Sequence, residues 1–303
     1  MIYRTYLGLD LQPQAMRAVA LRRQGKATAL VGGRLLGLDE GVLVPSFRNP
    51  NICDIDRFID NIHEILDPLA NNEDRISLAL PEQTGIFLLA DVESALKSKA
   101  EGIDVLKWQL REKLPADINL QLDYQILERD ETGRQKVLVA CMSMDVLEQY
   151  EEVINQAGYG AELIGFRSMG LFNYCRKRLD PGDSFALIQV EDSSMNFQFY
   201  HDRTLTFHRA RDIGNDIENV YREVSRSLAG EKERLSGLNR APVYLHTNWE
   251  KSIELQQAMS SLFVNEPVLL NPSIEQLTEE SLALTEKQSL SLVTAIGAAE
   301  RLM

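Results

Sequence analysis

Residues 4–30, RTYLGLDLQPQAMRAVALRRQGKATAL, constrain the chain more than any other stretch. Leu7, Leu9 and Leu11 share one parity of an extended strand, so one of its faces is apolar. Pro13 between two glutamines breaks that strand, MRAVAL resumes as a second, and Gly25 punctuates the chain again before KATALVGG. Three strands in a meander result, with an acid, Asp10, just before the first turn. A hairpin turn closes on a phosphate through free backbone N–H groups, which favours small and hydroxyl-bearing residues. This turn reads Gln12-Pro13-Gln14, and proline removes one donor outright.

Downstream, strands and helices alternate. Residues 33–47, with Gly37, Gly41 and Pro45, read as irregular. Asp54 then caps a helix running to residue 69, with Ile55, Phe58, Ile59, Ile62, Ile65, Leu66 and Leu69 as its apolar stripe. Strands follow at 75–81 and 85–92, then a helix over 92–114 that Leu114-Pro115 stops. Residues 118–129 and 136–143 form a hairpin. Asp145 caps a helix over 146–157 that Gly158 ends, 161–166 is a strand, and 168–179 is a helix closed by Asp180-Pro181-Gly182. At 185–200 the strand–turn–strand form restarts, with a third strand in 201–214. Aligning Leu9 with Ile188 sets Asp10 on Gln189 and the first turn on residues 191–193, a repeat of pattern without residue identity. A helix over 216–228, a charged loop, a strand at 242–247, a helix over 250–262, an edge strand at 267–272 and an apolar helix over 289–302 complete the chain. The fold class is α/β, in two comparable lobes.

Bulk properties exclude more than they assign. The 303 residues suffice for two domains, and 44% hydrophobic with 25% charged residues are ordinary globular values. A net charge of −13 argues against binding nucleic acid or anionic lipid by bulk electrostatics. Cys53, Cys141 and Cys175 have no CxxC spacing, and His63, His201, His208 and His246 are scattered, so neither a disulfide framework nor a metal site is signalled. No apolar run is long enough to span a bilayer, and the first residues lack a signal-peptide core. The expectation is a cytoplasmic protein that reaches a membrane only through a partner.

Several segments together resemble the PilM family, actin-like proteins of type IV pilus assembly with relatives in MSHA-type pili and type II secretion. They are LGLDLQ (7–12), SLALP (77–81), KLP (113–115), LDYQIL (122–127), VLVACMSMDVLEQYEEVINQAGY (137–159), FHRARDIG (207–214) and AIGAAERL (295–302). The resemblance implies an actin-like, duplicated ribonuclease H-like fold with a small α+β subdomain inserted in the first lobe. The first lobe would then comprise residues 1–84 and 166–182, the insert 85–165, and the second lobe 183–303, its last helix returning to the first lobe. It implies a scaffold of an inner-membrane assembly platform, peripheral to that membrane. This scaffold would bind the short cytoplasmic N-terminus of a PilN-like bitopic protein, alongside other pilus components. Trp108, Leu114, Pro115, Leu122 and Tyr124 are the expected wall of the peptide groove, with core packing as the alternative for each and the favoured one for Leu114 and Leu122.

Such a fold becomes an ATPase only if its phosphate loops function. Gly8 and Asp10 persist in the first, Asp10 as a possible ligand to Mg²⁺-bound water, but Gln12 and Pro13 crowd it. In the second, Glu191 and Asp192 place two carboxylates beside a would-be triphosphate, with no basic residue expected nearby to cancel the repulsion. The adenosine-side glycines are replaced by His246-Thr247-Asn248-Trp249, while Gly214 and Gly297 survive or serve as packing glycines. A vestigial nucleotide site of Gly8, Asp10, Gln12, Ser193, Gly214 and Gly297 is expected, with no catalysis, no metal and no required cofactor. The alternative is an ATP-binding switch in which Asp10 organises Mg²⁺ while Gln12 and Ser193 meet the phosphates.

Overall fold

A computed structural model of the chain describes residues 4–25, 27–93, 95–96, 98–178, 182–278, 282 and 284–303. The opening meander is β1 (Thr5–Gln12), β2 (Ala15–Gln24) and β3 (Ala27–Gly37), followed by α1 (Ile55–Ala70) and β4 (Arg75–Leu80). Next come β5 (Gly85–Val92), α2 (Lys99–Gln109), β6 (Leu120–Arg129), β7 (Gln135–Ser143), α3 (Met144–Gln156), β8 (Gly160–Phe166) and α4 (Arg167–Arg178). The second half comprises β9 (Phe185–Glu191), β10 (Ser194–His201), β11 (Thr204–Asp212), α5 (Ile217–Gly230), β12 (Val243–Thr247), α6 (Ser252–Ser260), β13 (Val268–Leu269) and α7 (Glu286–Ala299).

Two five-stranded sheets share one topology, β3-β2-β1-β4-β8 and β11-β10-β9-β12-β13. In each, an antiparallel meander continues through parallel crossovers, β1 beside β4 and β9 beside β12. Gln12 pairs with Ala15 across the first hairpin turn and Glu191 with Ser194 across the second. Asp10 and Gln189 therefore stand at equivalent places, as the pattern alignment predicts.

Period-2 burial explains why both sheets are sandwiched. Leu7, Leu9 and Leu11 face α1 and α3, meeting Phe58, Ile62, Tyr150 and Ile154. From the opposite face, Val19 and Leu21 join Leu187, Tyr200 and Leu205 of the second sheet around Leu171, Leu292 and Ile296. Helices α4 and α7 thus form a layer between the sheets, and α5 and α6 cover the far side of the second. The last helix returns to the first lobe, lying on β1, β2 and α4, and also meets the second sheet. Its approach is close enough to require glycine: a Cβ on Gly297 would collide with the Gly170 carbonyl, and one on Gly8 would strike α7 at Ala295 and Ala299.

The insert is smaller than the expected 85–165. Its sheet, β5-β7-β6, carries α2 on one face, but α3 and β8 belong to the first lobe. Val146, Tyr150, Val153 and Ile154 recur at helical spacing and pack with Leu7 and Leu9, and β8 pairs in parallel with β4. Of the helix expected over 92–114, only Lys99–Gln109 forms, because the Ser98 side chain accepts from the Glu101 N–H and starts it there. β3 also continues to Gly37, into the stretch expected to be irregular. The stop expected at Leu179, Asp180 and Pro181 lies outside the described residues. Among the described residues no helix is long and apolar enough to cross a membrane.

Candidate functional site

The two hairpin turns face each other across the space between the lobes, and the N-terminus of α4 delivers Arg167 between them. Asp10, Arg17, Arg167 and Glu191 are all at most 2% exposed. Arg167 Nε donates to Asp10 Oδ1 at 2.7 Å, and its Nη2 donates to Glu191 Oε2. Arg17, the cross-strand partner of Asp10, reaches Asp10 at 3.2 Å and Glu191 at 3.5 Å, and also pairs with Asp192. The Gln12 amide lies against the Arg167 guanidinium with its oxygen as acceptor, and Ser194 Oγ accepts from Arg167 Nη1 at 3.3 Å. From β12, His246 Nε2 lies 2.7 Å from Glu191 Oε1. Just beyond, Asn248 Oδ1 accepts from the Asp192 N–H, and Trp249 Nε1 donates to the Asp192 carbonyl at 2.9 Å.

This network overturns the expectation that no cation balances Glu191 and Asp192. Burial pushes Glu191 upward, but Arg167, His246 and Arg17 outweigh it and hold its carboxyl well below the usual range. Burial raises Asp10 above its ordinary value although Arg167 and Arg17 pull the other way. Burial alone would lower Arg167, yet Asp10 and Glu191 hold it firmly charged. Two guanidinium groups thus occupy the space between the two hairpins and bridge their carboxylates. The carboxylates that would organise the metal already have their counter-charges within the chain. Among the described residues no cluster of His, Cys, Asp and Glu could hold a metal ion.

The other expected site residues divide. Asp10 and Gln12 join the network, and Ser193 sits half-buried in the facing turn, its carbonyl accepting from the Ile213 N–H at 2.8 Å. Gly8 lies where β1 meets α7, and Gly297 where α7 crosses α4, each too close for a Cβ. Gly214 occupies an exposed turn with φ +58°, its N–H bonded to Asp212 Oδ1, a conformation that suits glycine. Arg17 could have been found from the sequence, since a turn at Pro13-Gln14 places it opposite Asp10. Arg167, 157 positions away from Asp10, has no such local signal.

The expected groove wall also needs correcting. Leu122 is fully buried, and Leu114 and Tyr124 pack with it into the insert's own core against α2. Tyr124 abuts Gly102, and its hydroxyl donates to the Ser98 carbonyl at 3.3 Å. Pro115 is half-buried. Trp108 differs: it is 68% exposed on α2, with the Arg111 guanidinium 4.6 Å from its ring centre. In the same subdomain β6 is a terminal strand, with no further strand beside it among the described residues.

No protein-family model matches the sequence, and no curated protein matches it. Among solved structures, the chain superposes on one from the "PilM-PilN type IV pilus biogenesis complex" with TM-score 0.76 and 17% identity, covering 98% of each chain. The fold is PilM-like. A Bacteroides thetaiotaomicron protein with an actin-like ATPase fold and unknown function gives TM-score 0.58 at 12% identity, over 90% of this chain and 94% of that one. The ethanolamine utilization protein EutJ from Carboxydothermus hydrogenoformans gives 0.52 at 11%, over 99% and 90%. This PilM-like fold is therefore a form of the actin-like two-lobe architecture, and Arg167 and Arg17 lie between the hairpins of its two lobes.

Proposed function

We propose that the chain is a nucleotide-independent, PilM-like scaffold of a type IV pilus or related secretion platform at the inner membrane. It binds the short cytoplasmic N-terminal segment of a PilN-like bitopic membrane protein, through which it is held at the membrane. Arg167 is the observation that carries this reading. An actin-like protein that turns over ATP must bring a metal–triphosphate between its hairpins, and here an internal guanidinium already joins Asp10 of one to Glu191 of the other. The partner is suggested by the shared fold, which covers 98% of a chain taken from a complex of PilM with PilN. A tail adding to the terminal strand β6 would gain main-chain hydrogen bonds, and Trp108, exposed on α2 of the same subdomain, offers one large anchor.

The test is fluorescence anisotropy with a labelled synthetic tail of a PilN-like protein encoded beside this chain. Saturable binding without nucleotide is expected, and Trp108→Ala should weaken it about tenfold, the usual effect of losing an aromatic anchor. Binding that requires Mg·ATP would refute the scaffold reading and favour the switch.

A further inference from the structure

β5 and β11 are both terminal strands, one of the insert's sheet and one of the second lobe's. They meet where the Phe87 ring lies 4.9 Å from His208. Beside that contact opens a cleft of about 330 Å³, with Ile86 and Phe87 on one wall and Arg209, Arg211 and Arg234 on the other. Its positive charge is concentrated. Arg209 at 3.0 Å, Arg211 at 3.7 Å and Arg226 all close on the single carboxylate of Glu223. One carboxylate cannot balance three guanidinium groups, and the buried Nε of Arg209 has no hydrogen-bond partner. The side chains of Arg211 and Arg226 are 51% and 60% exposed, so their remaining donors face outward.

Other charged groups around the cleft do not cancel this excess. Glu231 is engaged by Arg234 at 3.7 Å. Glu82 accepts from the Ser168 N–H at 2.7 Å, and burial raises its pKa toward the neutral form. His208, bonded to Ser168 and Asn196, is held neutral because burial lowers its pKa to about 4. Asp212 turns back to the Gly214 N–H.

We propose that this cleft is a second docking site, for an acidic extended peptide whose carboxylates pair with Arg209 and Arg211 on its wall and with Arg226, which adjoins them through Glu223. Guanidinium forks bind carboxylates through paired, charge-assisted hydrogen bonds. Ile86 and Phe87 offer an apolar floor, and the outer edge of β11 offers main-chain donors and acceptors. A flat anionic membrane fits less well: Arg209, Arg211 and Arg234 line a concavity, and a net charge of −13 repels such a surface. This site is independent of the Trp108 edge, so either can fail alone.

The experiment titrates the full chain into a fluorescein-labelled, Asp- and Glu-rich peptide with a central Leu-Phe pair. A charge-reversed lysine peptide and phosphatidylserine vesicles run in parallel. Binding of the acidic peptide is expected at about 20 mM salt, weakened several-fold at about 200 mM by screening. Arg211→Glu with Arg226→Glu should lower affinity at least about tenfold, the scale of losing two charge pairs across an interface. Trp108→Ala should leave it unchanged. Both arginines are exposed, and Arg211→Ala with Arg226→Ala provides a milder pair should the reversal disturb folding. No binding at low salt, equal binding by both arginine variants, or preference for the lysine peptide would overturn the proposal. So would vesicle binding that depends on Arg211 and that the acidic peptide fails to displace, which would assign the patch to a membrane.

Discussion

Arg167 sits between carboxylates from different halves of the chain, and its removal would leave Asp10 and Glu191 buried with only Arg17 and His246 to answer them. Breaking a buried ion network by deleting one member typically costs about 3–5 kcal/mol, since the remaining charge has neither water nor partner. Arg167→Met should therefore lower the unfolding free energy, read from denaturant titration, by an amount of that order. Adding Glu191→Gln should recover part of the loss, because the uncompensated charge goes with it. A loss below about 1 kcal/mol, the scale of an exposed pair, would mean that the network contributes little. This residue also marks a limit of sequence reasoning. The acids at 10, 191 and 192 were legible from the strand pattern, and the hairpin register held Arg17 opposite Asp10. Arg167 reaches the site only because β8 runs into α4 beside the two hairpins, a consequence of tertiary packing with no local signature.

Elements were legible where periodicity was strong and illegible where a cap decided the matter. The two meanders and the stripe of α1 follow from alternation and helical spacing. One member of that stripe is exposed, Ile55, which opens the helix next to its cap Asp54. By contrast, one serine side chain shortened the helix expected over 92–114. The boundary of the insert was misplaced because α3 is amphipathic whichever subdomain it packs on; only the contacts of Tyr150 and Val153 assign it. The pairing of α4 with α7 depends on glycine at their crossing, since a Cβ on Gly297 would meet the Gly170 carbonyl. Gly297→Ala should destabilise by about 1–3 kcal/mol through overpacking, even though alanine is the better helix former by about 1 kcal/mol. Gly230, in the last turn of α5, has nothing within 4 Å of its Cβ position. Gly230→Ala is thus the matched control and should be neutral or stabilising. Equal thermal shifts for both would show that the crossing has room to give.

At the scale of the whole molecule, the question is what sets the relation between the lobes. In an actin-like protein that works as a switch, a ligand bound between the lobes stabilises one relation over another by its differential affinity. Here α4 and α7 are buried between both sheets, Gln189 Nε2 donates to Thr294 Oγ1 at 3.2 Å, and Arg167 joins the two hairpins. On the proposed reading the chain joins its lobes from within, and a ligand entering between the hairpins would have to displace buried ion pairs before gaining any of its own. Melting curves with and without millimolar Mg·ATP measure this directly. A ligand at a hundred times its Kd stabilises by about 2.7 kcal/mol, which is a rise of several degrees for a domain of ordinary size. No shift is expected. A rise with Mg·ATP but not with Mg²⁺ alone would show that the arginines yield, and the scaffold would become a switch. The same measurement on Arg167→Met separates the alternatives further. If that variant alone responds to Mg·ATP, the arginine is what keeps nucleotide out. If neither responds, the loss of phosphate binding extends to the Gln12-Pro13 turn, which lacks the donors whatever stands beside it.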